Sequence, residues 1–199
     1  MFPETISTDR LSLEILTEDH LFELYEHASI DADHIEEITE YLNWSPHKTL
    51  NESREFIESA CEERESGRGV TYVVYPRADQ ANAGEFGGLC GLTIDWRKRT
   101  GTLGIWLRKP LWGRGYSGER ADALIAMAFD RLDLELVDVL HHVDNNASRS
   151  AIETYVERHG GRKEGMLRNY LVYDDGSVVD TIRYTISQKE FGKNNAQNV

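Results

Sequence analysis

The segment of this chain best suited to chemistry is a basic, glycine-rich turn, Gly113-Arg-Gly-Tyr-Ser-Gly118. It follows an apolar run that ends at Leu107, and it precedes apolar residues at helical spacing from Ala121 onward. Glycines let backbone N–H groups turn toward a ligand, and the N-terminus of a helix adds partial positive charge. The segment therefore predicts an anion site between a strand and a helix, with an ordinary strand-to-helix turn as the alternative.

The turn does not match the two common nucleotide-binding loops. A Walker loop needs a following Gly-Lys-Ser/Thr, and the dinucleotide fingerprint needs an acidic residue at the end of a second strand; neither is found here. Cys61 and Cys90 are expected to be reduced, buried or half-buried thiols. The seven histidines lack metal-ligand spacing, so no metal site is predicted.

The overall charge is strongly negative. Thirty-five acidic residues against twenty-two basic ones give a net charge of −13. Such a surface stays hydrated in concentrated salt, which screens its self-repulsion, so we expect a halophilic, haloarchaeal source, with an acidic mesophilic protein as the alternative. The charge also disfavours binding to nucleic acid or to an anionic membrane. With no apolar run near the ~20 residues that span a bilayer and no visible export signal, we expect a cytoplasmic protein.

The hydrophobic patterns predict one α+β domain with a mixed sheet over residues 1–191, followed by a polar, disordered tail over 192–199. Alternating or continuous apolar runs predict strands at 8–16, 70–75, 86–95, 103–107, 136–143, 167–173 and 178–186. Helical spacing predicts helices at 18–29, 32–42, 50–65, 121–132 and 147–159. The glycine turn thus lies between the fourth strand and the fourth helix.

Seven pieces of the chain, taken in order, resemble the acetyl-CoA-dependent N-acetyltransferases of the GNAT superfamily, and within it the ribosomal-protein N-terminal (alanine/serine) acetyltransferases. They are Thr8–Leu13, Tyr41–His47, Ile94–Arg97, Leu103–Leu107, Trp112–Ser117, Asp144–Ser148 and Glu164-Gly165. The resemblance implies a GNAT-type single domain. Its central sheet would be mixed, mostly antiparallel and twisted, flanked by helices, with a splayed strand pair that holds acetyl-CoA.

The resemblance also implies the residues that hold acetyl-CoA. The turn corresponds to the family's pyrophosphate loop, although Trp112 and Ser117 depart from its first and last positions. Backbone amides of the preceding strand would bind the pantetheine arm, as would an Asn before the next helix. The implied cofactor contacts are Trp106, Leu107, Arg108, Gly113, Arg114, Gly115, Tyr116, Ser117, Gly118 and Asn145.

Two catalytic roles follow from the same resemblance. The N–H of Leu107 would polarise the thioester carbonyl, and Ser148 would give a proton to the leaving thiolate. The tyrosine that many members use for the second task falls on Ile152, and Tyr155 is three residues away. No general base is assigned; the candidates are Asp95, Glu37, Glu40, His142 or a chain of waters.

The leading interpretation is an enzyme that moves acetyl from acetyl-CoA to a primary amine, the N-terminus of a protein such as a ribosomal protein. The acceptor would enter across the Tyr41–His47 loop and the closing hairpin. Two alternatives stay open: an acetyltransferase acting on a small amine such as a polyamine or aminoglycoside, and an acyl-CoA-binding module without turnover. We expect a monomer or a homodimer.

Overall fold

The computed structural model describes residues 1–197, and the side chains of residues 1–192. Eight strands form one sheet in the order β1-β2-β3-β4-β5-β6-β8-β7. They are β1 (Thr5–Ser7), β2 (Leu11–Ile15), β3 (Gly69–Pro76), β4 (Gly88–Asp95), β5 (Thr100–Leu107), β6 (Leu136–His142), β7 (Arg162–Val172) and β8 (Val178–Ser187). All neighbours are antiparallel except β5 and β6. The predicted mixed, mostly antiparallel sheet is confirmed.

The parallel pair β5–β6 opens partway along its length. Pairing runs only from Thr100↔Leu136 to Leu103↔Val139. Residues 104–107 of β5 stay paired with β4 on their other side, and residues 140–142 of β6 stay paired with β8. A gap therefore opens between β5 and β6 in the middle of the sheet, as the resemblance implied.

Helices cover both faces of the sheet. They are α1 (Leu21–Ala28), α2 (Ile35–Thr39), α3 (Leu50–Glu65), α4 (Tyr116–Ala126), α5 (Asn146–Arg158) and α6 (Gln188–Gln197), and α4 continues into a wider turn over Met127–Arg131. One apolar cluster joins α4 and α5 to one face, for example through Leu124, Ile125 and Ile152. A smaller cluster joins α1 and α3 to the other face through Leu24, Ile57 and Leu89.

Two predicted elements differ from the structure. The strand predicted at 8–16 is shorter, because residues 8–10 form a turn between β1 and β2 (Leu11–Ile15), closed by the Thr8 N–H donating to Leu11 O at 2.9 Å. The helix predicted at 32–42 is shorter in the structure and spans only Ile35–Thr39. The apolar pattern that suggested the longer helix buries only two residues within it, Ile35 and Ile38.

The chain's last part bears on the predicted tail. Helix α6 begins at Gln188 and runs through the proposed boundary at residue 191, and residues 198–199 lie outside the described residues. The boundary therefore stays a prediction. Within the described part of the chain, no helix has both the length and the apolar character needed to cross a membrane.

Candidate active site

The open edge of β5 presents unpaired backbone groups to the gap. Arg108 donates its N–H to Gly87 O on the β4 side at 2.9 Å. Because the backbone groups of successive residues in a strand point alternately to the two sides, those of Ile105 and Leu107 face the gap and those of Trp106 face β4. The expected donor Leu107 is thus correctly oriented. Arg108 and Trp106 are not amide donors to the gap, and Ile105, which sequence reasoning missed, joins Leu107.

The glycine loop presents a second set of free amides. Gly113 and Gly115 adopt left-handed φ angles of 73° and 79°, and Gly115 is the N-cap of α4. The N–H groups of residues 113–117 make no hydrogen bond within the described part of the chain, whereas Gly118 N–H already donates to Gly115 O. Gly118 is therefore not a free donor, contrary to the sequence-based expectation. The remaining amides, at the N-terminus of a helix, form a site for an anion.

The turn between β1 and β2 stabilises this loop through a set of contacts, called the brace below, that joins Thr8 and Arg10 to Glu119 and Arg114. Glu119, in the first turn of α4, accepts hydrogen bonds from Thr8 Oγ1 at 2.6 Å and from Arg10 N and Nε at 2.7 Å each. Arg10 Nη1 in turn donates to Arg114 O at 2.8 Å, and its guanidinium lies over the Tyr116 ring. Burial opposes ionisation of Glu119, but the hydrogen bonds from Thr8 and Arg10 hold the pKa of Glu119 below its usual value. Sequence analysis missed this brace.

The basic side chains near the loop have protein partners. Arg114 donates to Ala81 O at 3.2 Å, Arg108 to Phe86 O at 2.9 Å, and Lys109 forms an ion pair with Glu37 in α2. The loop amides are therefore the donors that are free in this conformation, while the guanidinium charges of Arg114 and Arg108 add positive charge nearby. Arg114 and Lys109 are exposed enough to turn toward a bound anion, at the cost of these contacts.

The start of α5 lies at the other side of the gap. Asn145 Oδ1 accepts from Ser148 N–H at 2.9 Å, so Asn145 caps the helix, as its residue type favours. This leaves the Asn145 amide nitrogen and the Ser148 hydroxyl available for other partners. Both residues line the central cavity described next.

A cavity of about 440 Å³ passes through the sheet where β5 and β6 separate. On the α4–α5 face it is lined by Ser117, Arg120 and Ser148; on the opposite face by Tyr41, Trp44 and His47. Four of the predicted site residues line it, namely Trp106, Ser117, Asn145 and Ser148. The others predicted lie on its strand wall or in the loop beyond its end.

The acceptor-side loop and the closing hairpin meet at one mouth of this cavity, as predicted. Ser45 N–H donates to Asp174 Oδ2 at 2.8 Å, which ties the loop to the turn between β7 and β8. The His142 ring lies between those of Tyr41 and Tyr173, with ring centroids 5.1 and 6.3 Å away. Trp44 contacts Trp106 at 5.6 Å, which places an aromatic wall beside the gap.

The most unusual residue of the cavity was not found from the sequence. Arg120, one turn into α4, is only 1% exposed, and its Nε and Nη1 atoms have no hydrogen-bond partner within the described residues. It lies beside Cys90 of β4 and Tyr155 of α5, where its charge favours the ionised form of both. The Tyr155 hydroxyl has no hydrogen bond of normal geometry within the described residues, although its interaction with Arg120 partly offsets the rise that burial causes in the pKa of Tyr155. In the sequence Arg120 looks like any polar residue of an amphipathic helix.

Comparison with known proteins identifies the architecture. Residues 10–155 match the acetyltransferase (GNAT) domain. The chain belongs to the GNAT acetyltransferases. It is similar to the uncharacterized N-acetyltransferase p20 of Bacillus licheniformis, with 23% identity over 94% of this chain and 98% of p20. It also resembles the putative ribosomal N-acetyltransferase YdaF of Bacillus subtilis, with 31% identity over 53% of this chain and 57% of YdaF.

A solved structure shares the whole fold. The microcin C7 self-immunity acetyltransferase MccE, crystallised with acetyl-CoA and AMP, superimposes with a TM-score of 0.78 at 20% identity, over 94% of this chain and 97% of MccE. GNAT enzymes use acetyl-CoA, so this chain is an acetyl-CoA-dependent N-acetyltransferase. No group of three or more metal-ligating side chains occurs among the described residues.

The geometry of this acetyltransferase fits acetyl-CoA. Free amides at residues 113–117 suit the pyrophosphate, and the unpaired edge at Ile105 and Leu107 suits the amides of the pantetheine arm. The cavity joins these two sets of donors to the mouth at Tyr41 and Trp44. An acyl donor on the α4–α5 face and an amine on the other face can therefore meet inside the sheet.

The candidate bases differ in what they can do. Glu37 is paired with Lys109, and Asp95 with Lys98 in the β4–β5 turn. The pKa values of both carboxyls lie below the usual range because of hydrogen bonds from these lysines. Glu40 is linked to the Tyr41 hydroxyl, and this hydrogen bond raises the pKa of Tyr41. None of the three carboxylates lines the cavity, and no other Asp or Glu within the described residues does.

Two adjacent histidines do line the cavity, and their tautomers differ. His142 Nδ1 accepts from Asp144 N–H at 3.1 Å, so neutral His142 carries its proton on Nε2 and offers the cavity no lone pair. His141 Nδ1 donates to His142 O at 2.7 Å, so neutral His141 keeps its lone pair on Nε2, which has no partner within the described residues. Burial lowers the pKa of His141. However, His141 packs on Tyr184 at 5.7 Å and belongs to the α4–α5 face, away from the amine's mouth.

Proposed function

We propose that this enzyme acetylates the α-amino group of a protein N-terminus; its relative YdaF is named a putative ribosomal N-acetyltransferase, which supports a protein acceptor. The observation that carries the proposal is the cavity's lining. Its amine side contains aromatic rings and the histidines His47 and His142, but no carboxylate within the described residues. Neutral His142 carries its proton on Nε2, and burial lowers the pKa of His47, whose Nδ1 lies 2.7 Å from Ser53 Oγ.

Such a site favours an amine that is already partly neutral near pH 7. The pKa of an α-amino group is about 7.7–8.0, whereas that of a lysine or alkyl amine is about 10.4. An α-amino group therefore reaches the neutral, nucleophilic form about 300-fold more readily, and its proton can pass to water without a dedicated base. Acidic side chains outside the cavity, such as Asp144 and Asp174, would still attract the charged chain end before it enters.

The proposed roles of the chain's own residues come from the family resemblance, and the geometry is compatible with them. The Leu107 and Ile105 amides hold and polarise the thioester, Asn145 contacts the pantetheine arm, and Ser148 gives a proton to the sulfur. Residues 113–117 bind the pyrophosphate. When bound, acetyl-CoA supplies the activated acetyl group. The acidic composition supports a protein that works in concentrated salt inside a halophilic cell. We further propose that the enzyme acts as a monomer or a homodimer.

The test is CoA release from acetyl-CoA in multimolar KCl with three acceptors. One is a peptide with a free N-terminus and no lysine, the second is its N-blocked form with an internal lysine, and the third is a polyamine. Release with the first alone supports the proposal. Release with the second or third instead would refute it and identify a lysine or small-molecule acetyltransferase. Acetyl-CoA binding without release from any acceptor would support the binding-module alternative.

A further inference from the structure

Arg120 carries a charge that the folded protein leaves without a counter-ion. A guanidinium stays protonated at any working pH, and burying a charge without a partner is costly. Yet neither Nε nor Nη1 has a hydrogen-bond partner among the described residues, and the neighbouring carboxylates are engaged elsewhere: Glu119 with Arg10, and Asp122 with Arg158 and His159. A buried, uncompensated charge at a functional cavity indicates a site prepared for an anion.

The position of Arg120 defines where that anion would lie. Arg120 and Cys90 line the same cavity, and Cys90 is paired in register with Ile105, two residues beyond the last β5–β6 pair at Leu103. The charge therefore borders the part of the cavity that opens where the strands separate. It is one helical turn from Ser117 at the loop, so it is not part of the loop's own set of N–H donors.

We propose that Arg120 stabilises the CoA thiolate as it leaves, an inference that rests on the proposed acetyl-CoA site. Acetyl and the pantetheine arm are neutral, and the reaction creates two anions in this part of the cavity, the oxyanion of the tetrahedral intermediate and the thiolate. The β5 amides, above all Leu107 N–H, are the proposed donors to the oxyanion, which leaves the thiolate as the anion for Arg120. The amine's electron pair forms the C–N bond, the C–S bond breaks with its electron pair going to sulfur, and the amine's surplus proton passes to water. The thiolate then takes the proton of the Ser148 hydroxyl, which water reprotonates, so the products are the amide and CoA thiol.

This role explains two features of the site together. The position at which many relatives carry a proton-donating tyrosine is Ile152, which cannot donate, and Tyr155 is fully buried beside Arg120. A fixed positive charge lowers the free energy of the departing thiolate without a proton transfer. Because the interaction is stronger with the thiolate than with the neutral thioester, it acts on the transition state more than on substrate binding.

The inference is tested by the ionisation of bound CoA, with no turnover required. The ultraviolet absorbance of the thiolate is followed against pH for CoA bound to wild type, to Arg120→Met and to Arg120→Lys, with desulfo-CoA as the blank that removes tyrosine ionisation. The groups facing Arg120, Cys90 and Tyr155, are present in every sample. We expect the pKa of the bound thiol to be at least about one pH unit lower in wild type than in Arg120→Met, with Arg120→Lys in between.

Two further measurements separate this role from a structural one. Arg120→Met removes an uncompensated buried charge, so its thermal unfolding midpoint should be equal to or higher than that of wild type. Its affinity for desulfo-CoA, measured by calorimetry, should be unchanged. Equal thiol pKa values in wild type and Arg120→Met, or a clear loss of stability in that variant, would overturn the inference.

Two other outcomes would overturn it in different ways. A strong preference of wild type for succinyl-CoA over acetyl-CoA that disappears in Arg120→Met would assign Arg120 to an acyl carboxylate instead. Failure of wild type to bind both CoA and desulfo-CoA would refute the proposed acetyl-CoA site itself, and the inference with it.

Discussion

The hydrogen bonds around Glu119 predict that the β1–β2 turn controls affinity for CoA, although it lies outside the cavity lining. The perturbation is Glu119→Gln, which keeps the shape of the side chain and removes its charge. A glutamine oxygen can still accept from Thr8 or from Arg10 N, but its NH₂ group faces the Arg10 Nε–H, a second donor. Arg10 then loses the anchor that holds its Nη1 on Arg114 O.

The size of the effect follows from burial and charge. A hydrogen bond to a charged group contributes about 1.5–3 kcal/mol. The Glu119 side chain is 14% exposed but that of Arg10 is 38% exposed, so screening by water reduces the contribution. We expect a loss of about 2 kcal/mol in the free energy of unfolding and about tenfold weaker binding of CoA, since a loosened loop must be ordered again by the ligand.

The pH dependence of the stability difference between wild type and Glu119→Gln provides a second, independent test. The pKa of Glu119 is lowered in the folded protein, so its contribution is fully present above the unfolded value of about 4.3 and disappears as pH falls through the folded pKa. The stability difference between wild type and Glu119→Gln should therefore be constant above about pH 5 and shrink below the unfolded value.

Urea unfolding and calorimetry with CoA measure both effects. Glu135→Gln is the matched control, because Glu135 pairs with Arg99 at 2.7 Å but is 62% exposed; it should change stability by less than about 0.5 kcal/mol and leave CoA affinity unchanged. If Glu119→Gln bound CoA as tightly as wild type while losing stability, the brace would be purely structural and the reasoning would be refuted.

Three further predictions concern the loop, the proton donor and the surface. Gly115→Ala forces a side chain into a left-handed conformation at φ 79° and places its Cβ 3.4 Å from Arg10 Nη2, so it should cost ~1–2 kcal/mol of stability and weaken CoA binding. The control Gly84→Ala, at φ 72° with open space around it, should cost a similar ~1–2 kcal/mol of stability and bind CoA normally. Ser148→Ala should lower kcat by about 100-fold and leave the KM for acetyl-CoA unchanged. This is the lower end of the usual effect of removing a general acid, because Arg120 also stabilises the leaving thiolate. An unchanged kcat in steady-state assays would show that Ser148 takes no part in the mechanism. With a net charge of −13, the thermal unfolding midpoint should rise between dilute buffer and multimolar KCl, and a midpoint independent of salt would argue against a halophilic origin.

The parts of this fold that the sequence predicted are those with a local signal. Apolar periodicity predicted most of the strands and helices, and Gly113 and Gly115 marked the loop because left-handed backbone there favours glycine. The splayed pair was implied by the family resemblance alone. Periodicity reports which face of a strand is buried, but not how far two strands stay paired.

The parts that sequence analysis missed depend on contacts between distant residues. The brace joins Arg10 to Glu119, 109 positions apart, and neither residue type is unusual for a surface turn or the first turn of a helix. Arg120 lies between Glu119 and Ala121 in a helix with several other charged residues, so its burial could not be predicted from spacing. The assignment of amide donors also required the register between β4 and β5. The hydrogen bond from Arg108 N–H to Gly87 O shows which β5 amides face β4 and therefore which face the gap.

The two ends of the proposed reaction then follow one physical logic. On the amine side, the described cavity lining offers aromatic walls and the histidines His47 and His142, but no carboxylate, so selection falls on an amine with a low pKa. On the thioester side, Ile152 replaces a donor and Arg120 supplies a charge that does not titrate. The rate of such an enzyme should depend on pH chiefly through the acceptor. The apparent pKa in kcat/KM should follow that of the peptide's own N-terminus when peptides of different N-terminal basicity are compared. A pKa that stayed fixed across those peptides would instead reveal a base in the protein.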